Sequence, residues 1–272
     1  MIDNKTINKL TKLKDIIGSY PNLLVAYSGG LDSTFLLKIA HEVLQNRVMG
    51  IMALSPSLPG SEEIEAETIA NELQIPIQKI NTREMDNPEY IRNSSERCYF
   101  CKSELFDKIK NYADLNGYQC IAYGAIKDDE QDIRPGMRAA NQYKIKKPLL
   151  EAGLYKEEIR LFARELNLPN WNKPQQACLS SRIPFGHDVT EEKLKLIEKA
   201  EDYMHSIGFK QVRVRCFPEY ARIEVPKEQL FLLSENRTKG QVTQKMFELG
   251  FKDVLIDPEG YRQGKLHIVE QN

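Results

Sequence analysis

The 272-residue sequence lacks an apolar run of 18 residues, and its first residues lack the pattern of a signal peptide. These two absences predict a soluble, cytoplasmic protein with no membrane partner. A charge excess is also missing, since 38 basic residues face 39 acidic ones and the formal net charge is −1. The sequence therefore does not indicate the broad basic surface that binds a phosphate backbone, which argues against a nucleic-acid partner.

Cysteine and histidine are both scarce. The five cysteines are an odd set, and in a cytosolic protein they favour metal binding or thiol chemistry over structural disulfides. The four histidines show no ligand spacing, so no catalytic histidine is indicated. Hydrophobic residues make up 41% of the chain, enough for a sizeable core in one large or two modest domains.

The first part of the chain alternates strand-like and helix-like patterns. Strand-like runs fall at 23–27, 48–54, 75–80 and 120–125, and helical patterns at 33–45, 61–73, 102–115 and 155–166. This alternation is typical of βαβ units and a parallel sheet. From 174 to 190 the pattern breaks, and a helix with short alternating strands follows. We therefore predict an α/β parallel-sheet domain over residues 1–185 and a smaller α+β domain over 186–272.

The most specific motif is Ser28-Gly-Gly-Leu-Asp-Ser33, which lies between a predicted strand and a predicted helix. Its glycines allow close backbone approach, and the N–H groups of the turn and the helix start form an anion site. A carboxylate in such a site, that of Asp32, requires a divalent cation. The motif resembles the PP-loop, whose enzymes split ATP into AMP and pyrophosphate. The alternative is a plain glycine-rich turn.

Ligands of parallel sheets bind beyond the carboxyl ends of the strands. Two further predicted strands end near Ala53 and Gly124, beside the motif. We therefore predict one ATP cleft at this edge. Its predicted residues are Ala26, Ser28, Gly29, Gly30, Asp32, Ser33, Ala53 and Gly124.

Three cysteines are candidates for metal binding. Cys98 and Cys101 form a C-x-x-C pair, and Cys178 follows in an irregular stretch. With His187 they would make a zinc site, and alone they would hold an iron–sulfur cluster with one iron left open. Thiol–disulfide chemistry at the C-x-x-C pair and ordinary, partly buried cysteines are the other interpretations. Cys120 and Cys216 lie in strand-like runs, and we predict that both belong to the core.

Arg213 and Arg215 are two residues apart on a predicted strand and therefore share a face, and Arg222 lies on the next strand. Guanidinium groups on one face suit phosphate or carboxylate recognition, although ion pairs with neighbouring glutamates would explain them equally. Asp128 and Asp132 follow the strand that ends at Gly124. They are candidates for positioning a metal–phosphate group, or they belong to a solvated turn.

Several stretches resemble the ATP-dependent sulfur transferases of nickel-pincer nucleotide cofactor synthesis, which mature lactate racemase. The matching stretches are 26–33, 97–102, 124–136, 148–152, 177–184 and 212–215. The resemblance implies a PP-loop domain of the adenine nucleotide α-hydrolase type, a small C-terminal domain and a homo-oligomer. It also implies ATP, Mg²⁺ and a small nucleotide substrate, pyridinium-3,5-dicarboxylate mononucleotide. A carboxylate of that substrate is adenylated and then converted to a thiocarboxylate.

The resemblance further implies roles for particular residues. Some members give up the sulfur of one cysteine, but they lack the C-x-x-C pair. This chain resembles the subtype in which Cys98, Cys101 and Cys178 hold a [4Fe–4S] cluster that carries the sulfide. Cys178 and Asp32 are then the catalytic residues. The residues implied to bind the substrate phosphate are Ser181, Arg182, Arg213 and Arg215.

Three alternatives stay open at this point. A tRNA-thiolating enzyme has a similar PP-loop and three cysteines, but the net charge of −1 argues against it. A zinc-containing, nucleotide-binding regulator would leave Asp32 without a purpose. Within the preferred interpretation, Cys178 is a sacrificial sulfur donor instead of a cluster ligand. The donor that would replenish the sulfide is not indicated by the sequence.

Overall fold

The computed structural model describes residues 2–131 and 135–262. Its helices are α1 (Asn4–Gly18), α2 (Leu31–Leu44), α3 (Gly60–Glu72), α4 (Pro88–Ile91), α5 (Arg97–Asn116), α6 (Pro135–Gln142), α7 (Pro148–Glu151), α8 (Lys156–Glu165), α9 (Glu191–Ser206), α10 (Leu230–Ser234) and α11 (Asn236–Leu249). Its strands are β1 (Leu23–Ala26), β2 (Val48–Leu54), β3 (Ile77–Asn81), β4 (Ile121–Tyr123), β5 (Arg213–Cys216), β6 (Ala221–Glu224) and β7 (Val254–Ile256). No helix in these residues has the length and apolarity needed to span a membrane.

The first unit of the fold is an α/β domain. It comprises residues up to 87 together with 96–176. Its four strands are all parallel and lie in the order β3-β2-β1-β4, so the chain starts at an inner strand and crosses to both sides. Because the strands are parallel, their carboxyl ends meet at one edge, where ligands of such sheets bind. This architecture confirms the predicted fold class.

Helix α2 is the central helix of this unit and is buried on most of its surface. Phe35, Leu36 and Ile39 are fully buried in it, and the Phe35 ring stacks on Phe162 of α8 at 6.0 Å between centroids. A helix that is apolar nearly all round is stable only inside a core. The start of α2 is thereby fixed against the carboxyl edge of the sheet.

The second unit has a different architecture. It comprises residues 88–95 together with the chain from 177 onward. Strands β5 and β6 are antiparallel and β7 is parallel to β6, giving a three-stranded sheet in the order β5-β6-β7. Helix α9 buries Leu194, Ile197 and Met204 in the core of this unit. It is the small α+β domain that the sequence predicts.

The boundaries of the two units differ from the predicted division at residue 185. The loop after 176 belongs to the second unit, and so does the short segment 88–95 from the first half of the chain. The cause is a set of buried hydrogen bonds within the second unit. Asn93 donates from Nδ2 to the carbonyls of Ile183, Pro184 and His187, and Tyr90 bonds through its hydroxyl to Ser180 at 2.6 Å.

Helix α5 begins earlier than the pattern predicts, at Arg97 instead of residue 102. Cys98 and Cys101 therefore lie within its first turn, not before it. Residues three apart in a helix share a face, so the two thiols lie on the same side of α5. No side chain caps this helix start, which explains why the sequence carries no signal for it.

Candidate functional site

The glycine-rich loop between β1 and α2 is closed by backbone geometry that requires glycine. Gly29 has a φ of +69°, and a Cβ there would lie 2.5 Å from the Cβ of Ala66. Gly30 is the N-cap of α2, in extended conformation, and has no side chain over the helix start. The N-terminal N–H groups of α2 are therefore open to an anion, and the helix dipole adds a favourable field.

Two serines hold this loop in shape. Ser33 donates from Oγ to the carbonyl of Gly30 at 2.9 Å and accepts the N–H of Ser28 at 3.2 Å. The hydroxyls of Ser28 and Ser33 are 3.2 Å apart. The turn is thus fixed by the chain's own contacts, with both hydroxyl oxygens on the same side.

The end of β4 touches the start of α2. A Cβ on Gly124 would lie 3.0 Å from the backbone nitrogen of Ser33 and 3.2 Å from the Cβ of Asp32. Only a residue without a side chain allows this approach without displacing the helix start. Gly124 therefore has a structural reason to lie at the predicted cleft.

A buried amide from a distant part of the chain also holds the loop. Asn170 donates from Nδ2 to the carbonyl of Gly29 at 2.8 Å and to the hydroxyl of Thr34 at 2.9 Å. Its Oδ1 is buried and has no hydrogen-bond partner among the described residues. No sequence pattern marks Asn170, because the contact joins residues 141 positions apart.

An open pocket lies at the carboxyl edge of the sheet. Seven predicted nucleotide-binding residues line it: Ala26, Ser28, Gly30, Asp32, Ser33, Ala53 and Gly124. Gly29 shapes the loop without lining the pocket. The structure thus brings the predicted residues of three strands to one place, together with Lys102 and Glu62, which the pattern did not single out.

Asp32 is the acidic residue of this pocket, and it is paired. Lys156, the first residue of α8, places its Nζ 2.8 Å from each carboxylate oxygen of Asp32. Burial raises the pKa of Asp32 above its ordinary value, and the ammonium of Lys156 opposes that shift. The carboxylate is therefore desolvated and depends on a cation, which suits a residue that holds a metal–phosphate group.

Lys102 supplies a second cation. Its Nζ lies 5.8 Å from the ring centre of Phe106 and 5.7 Å from that of Tyr123, so the aromatic rings hold the ammonium at the pocket wall. Lys102 directly follows the C-x-x-C pair on α5. An ammonium at this position offers three donors to a phosphate.

The acidic residues after β4 serve the backbone. Asp128 accepts the backbone N–H of Lys156 at 2.8 Å, and Asp129 accepts that of Ile126 at 3.0 Å. Asp128 thereby caps the first turn of α8 and fixes the residue that pairs with Asp32. Asp132, the other predicted candidate, lies outside the described residues.

The three candidate metal ligands are divided between the two units. Cys98 is exposed and Cys101 half-buried at the start of α5, whereas Cys178 is exposed in the second unit. No disulfide joins any of the five cysteines. Within residues 2–131 and 135–262, no group of three His, Cys, Asp or Glu side chains is arranged to hold a metal. The ligand set therefore stays a prediction.

The loop that carries Cys178 is held by a buried arginine. Arg182 pairs with Glu201 through two hydrogen bonds of 3.0 and 2.9 Å. Its Nη1 turns back to the carbonyls of Ala177 and Cys178, the latter at 2.9 Å, and to the hydroxyl of Ser181 at 3.1 Å. Arg182 is only 2% exposed. It fixes the peptide on both sides of the Cys178 side chain.

Arg213 and Arg215 are buried on the shared face that their spacing predicts. Arg215 pairs with Glu224 at 2.9 and 3.0 Å and donates to the carbonyl of Ser181 at 2.7 Å. The pKa of Arg213 is lowered, chiefly by burial and then by the neighbouring charge of Arg182. An anion beside Arg213 would relieve both effects.

The remaining arginine and cysteines have structural surroundings. Arg222 lies over the ring of Phe217 and near Glu224 and Asp257, as the ion-pair alternative requires. Burial raises the pKa of both Cys120 and Cys216, so their thiols are less ionised than an exposed thiol. Cys216 is buried and Cys120 partly buried, consistent with places in the core.

Comparison with known proteins adds what the geometry cannot supply. No protein-family model matches the chain. An uncharacterised protein of Synechocystis is 42% identical over 262 residues, which cover 96% of this chain and 98% of that protein. The pyridinium-3,5-bisthiocarboxylic acid mononucleotide synthase of Lactiplantibacillus plantarum is 33% identical over 266 residues, covering 97% of this chain and 94% of that protein.

A more distant relative agrees with the glycine-rich loop. A glutamine-hydrolysing GMP synthase of Sulfurisphaera tokodaii, a PP-loop enzyme, is 24% identical over 208 residues, which cover 69% of this chain and 54% of that protein. The match to the L. plantarum synthase extends along nearly the whole of both chains and includes both units. The chain therefore belongs to the family of pyridinium-3,5-bisthiocarboxylic acid mononucleotide synthases, which are enzymes of the PP-loop type.

Proposed function

We propose that this enzyme uses ATP to convert carboxylates of pyridinium-3,5-dicarboxylate mononucleotide to thiocarboxylates. The observation that carries the proposal is its relationship, over 97% of its length, to a synthase of the bisthiocarboxylic acid mononucleotide. A dicarboxylate is the oxygen counterpart of that product. Replacing oxygen with sulfur requires a better leaving group than oxide, and the PP-loop pocket is suited to provide one.

The proposed reaction has two steps. A substrate carboxylate oxygen attacks the α-phosphorus of ATP, the bond to the β-phosphate oxygen breaks, and pyrophosphate leaves. Sulfide then attacks the carbonyl carbon of the acyl adenylate, and the C–O bond breaks to release AMP. The product is a thiocarboxylate, and no oxidant or reductant is consumed.

The residues of the pocket would bind and orient ATP. The N–H groups at the start of α2 are open to phosphate oxygens, and Lys102 adds an ammonium at the wall. Asp32, with the hydroxyls of Ser28 and Ser33, offers the hard oxygen ligands that suit Mg²⁺. A bound Mg²⁺ would supply charge neutralisation at the phosphates.

In the second unit, we propose that Arg213 and Ser181 bind the substrate phosphate. The lowered pKa of Arg213 supports this, because a dianion beside it would stabilise the charged guanidinium. Arg182 and Arg215 would act by holding the loop, since each donates to a carbonyl in the stretch from Ala177 to Ser181. The predicted four-residue phosphate site is thus divided into binding and positioning residues.

For the sulfur source, we propose the predicted cluster ligands Cys98, Cys101 and Cys178. Three exposed or half-exposed thiols without disulfides are the donor set that a [4Fe–4S] cluster requires, with one iron left open. When bound, such a cluster would supply a transferable sulfide. The chain segment 88–95 of the second unit runs directly into the α5 start that carries the cysteine pair.

The test is anaerobic purification followed by iron, sulfide and turnover analysis. We expect about four irons per chain, as a [4Fe–4S] cluster requires, and release of AMP and pyrophosphate only with the pyridinium substrate. Cys178→Ser should lose thiocarboxylate formation while still releasing pyrophosphate. Cys216→Ser is the matched control, because its thiol is buried, and it should keep its iron.

Two results would contradict parts of this proposal. Conversion of Cys178 to dehydroalanine after one turnover would make it the sacrificial donor and remove the cluster. Sulfur transfer to tRNA, with no activity on the pyridinium substrate, would overturn the proposed function. A cytoplasmic homo-oligomer stays the expectation from the resemblance.

A further inference from the structure

We propose that Lys156 is a pyrophosphate-binding residue that leaves Asp32 when ATP and Mg²⁺ enter the pocket. The inference rests on the proposed function, because it assumes that this pocket binds ATP. It assigns a role to a residue that no motif singled out and that lies 124 positions from Asp32 in the chain.

The geometry of the pair is the first step. The Nζ of Lys156 lies at 2.8 Å from both oxygens of Asp32, and the side chains are only 22% and 25% exposed. Exposed ion pairs contribute little to stability, but a pair with both oxygens engaged and largely out of water is held in place. In this structure, Lys156 is therefore the counter-ion of Asp32.

Mg²⁺ and Lys156 compete for the same carboxylate. Mg²⁺ binds oxygen at about 2.1 Å, and its two charges repel an ammonium bound to the same two oxygens. Loading the metal with ATP therefore displaces Nζ from Asp32. The displaced ammonium needs a new partner, since an unpaired charge in a partly buried site is costly.

The pyrophosphate part of ATP is the nearest anion that arrives with the metal. The backbone of Lys156 does not follow the side chain, because its N–H is held by Asp128 at 2.8 Å at the first turn of α8. The flexible four-carbon stem alone carries the movement. Lys156 thus neutralises Asp32 before ATP binds and holds the leaving group afterwards.

The experiment measures binding of inorganic pyrophosphate with Mg²⁺ by calorimetry. Lys156→Met should weaken this affinity about tenfold, the effect of losing one charge-assisted contact. Lys156→Arg, which keeps the charge, should recover part of the loss. Lys9→Met is the matched control, since Lys9 pairs with Glu158 of the same helix at 2.7 Å and is similarly buried, but it does not line the pocket.

A second pair of variants tests the exchange without the metal. Asp32→Asn frees Lys156 from its partner, so metal-free pyrophosphate should bind more tightly than to the unaltered protein. That gain should disappear in Asp32→Asn with Lys156→Met, a double-mutant cycle that separates Lys156 from the charge of Asp32.

The outcomes separate the two proposals. Unchanged pyrophosphate affinity in Lys156→Met, or a gain in Asp32→Asn that survives loss of the lysine, would make Lys156 a counter-ion only and overturn the inference. Should Lys156→Met fail to fold, Lys156→Arg and the Asp32→Asn gain decide the question. If the unaltered enzyme binds neither ATP nor pyrophosphate, the proposed function itself fails.

Discussion

Gly29 is the residue on which the nucleotide loop depends most directly. Its φ of +69° is disfavoured for any side chain, and an added Cβ would lie 2.5 Å from that of Ala66. The two obstacles act together, because relieving the contact with α3 requires moving a loop whose conformation is already strained. The N–H groups at the start of α2 would then lose their common direction.

We expect Gly29→Ala to abolish ATP binding and to lower stability by more than the ~1 kcal/mol of backbone strain alone. Gly153→Ala is the matched control, since Gly153 has a similar φ of +77° with no atom within 4 Å of the added Cβ. It should cost only the strain and leave ATP affinity unchanged. Calorimetric ATP binding and urea unfolding of both variants make the comparison. Equal ATP affinity in the two variants would contradict this role of Gly29.

Residues of this site differ in how far the sequence can predict them. The Ser28–Ser33 loop is predictable, because its chemistry lies in six consecutive residues between a strand and a helix. Lys156 and Asn170 reach it from 124 and 141 positions away, and neither belongs to a local pattern. Their roles follow from tertiary packing alone.

At the scale of elements, strands were easier to predict than helix starts. The seven strands of the structure all fall within or beside the apolar and alternating runs. Helix α5 starts earlier than its pattern because no capping side chain marks its first turn. The C-x-x-C pair therefore lies on one helical face, a placement that spacing in the sequence did not reveal.

The loop after residue 176 is the element that Arg182 stabilises. A lysine there would keep the charge but lose the planar fork that joins Glu201 to the carbonyls beside Cys178. We expect Arg182→Lys to lower the free energy of unfolding by about 2–4 kcal/mol, since buried donors and acceptors lose their partners. The exposed thiol of Cys178 should also react faster with an alkylating reagent, because its loop is no longer fixed.

The control for this prediction is another ion pair of the second unit. Lys195 pairs with Glu191 at 3.1 Å on the solvent side of α9. Lys195→Met should change stability by less than about 0.5 kcal/mol. Guanidinium unfolding gives the stabilities, and peptide mass spectrometry gives the alkylation rate. An Arg182→Lys variant as stable as Lys195→Met would show that the buried network does not hold the loop.

At the scale of the whole molecule, the chain enters the second unit twice. Segment 88–95 interrupts the first unit and hydrogen-bonds to a loop about 90 positions later. Composition does not indicate this insertion, because a short segment without periodicity has the pattern of a connecting loop. The sequence therefore predicted two domains but assigned this segment to the first.

Asn93 tests whether this insertion stabilises the molecule. It is fully buried, has a φ of 52°, and donates from Nδ2 to three carbonyls at 2.8 to 3.1 Å. Asn93→Ala would strain the backbone and leave buried carbonyls without donors, so we expect a loss of about 2–4 kcal/mol. Asn93→Gly tolerates the φ, and its loss should come from the missing hydrogen bonds alone.

Asn167→Ala provides the matched comparison, because Asn167 has a φ of 53° but is exposed. It should cost only the backbone strain, about 1 kcal/mol. Denaturant unfolding of the three variants separates strain from hydrogen bonding, and ATP affinity should stay unchanged since Asn93 lies in the second unit. If Asn93→Gly were as stable as the unaltered protein, the amide contacts would contribute nothing, and segment 88–95 would be a passive connection instead of a structural part of the second unit.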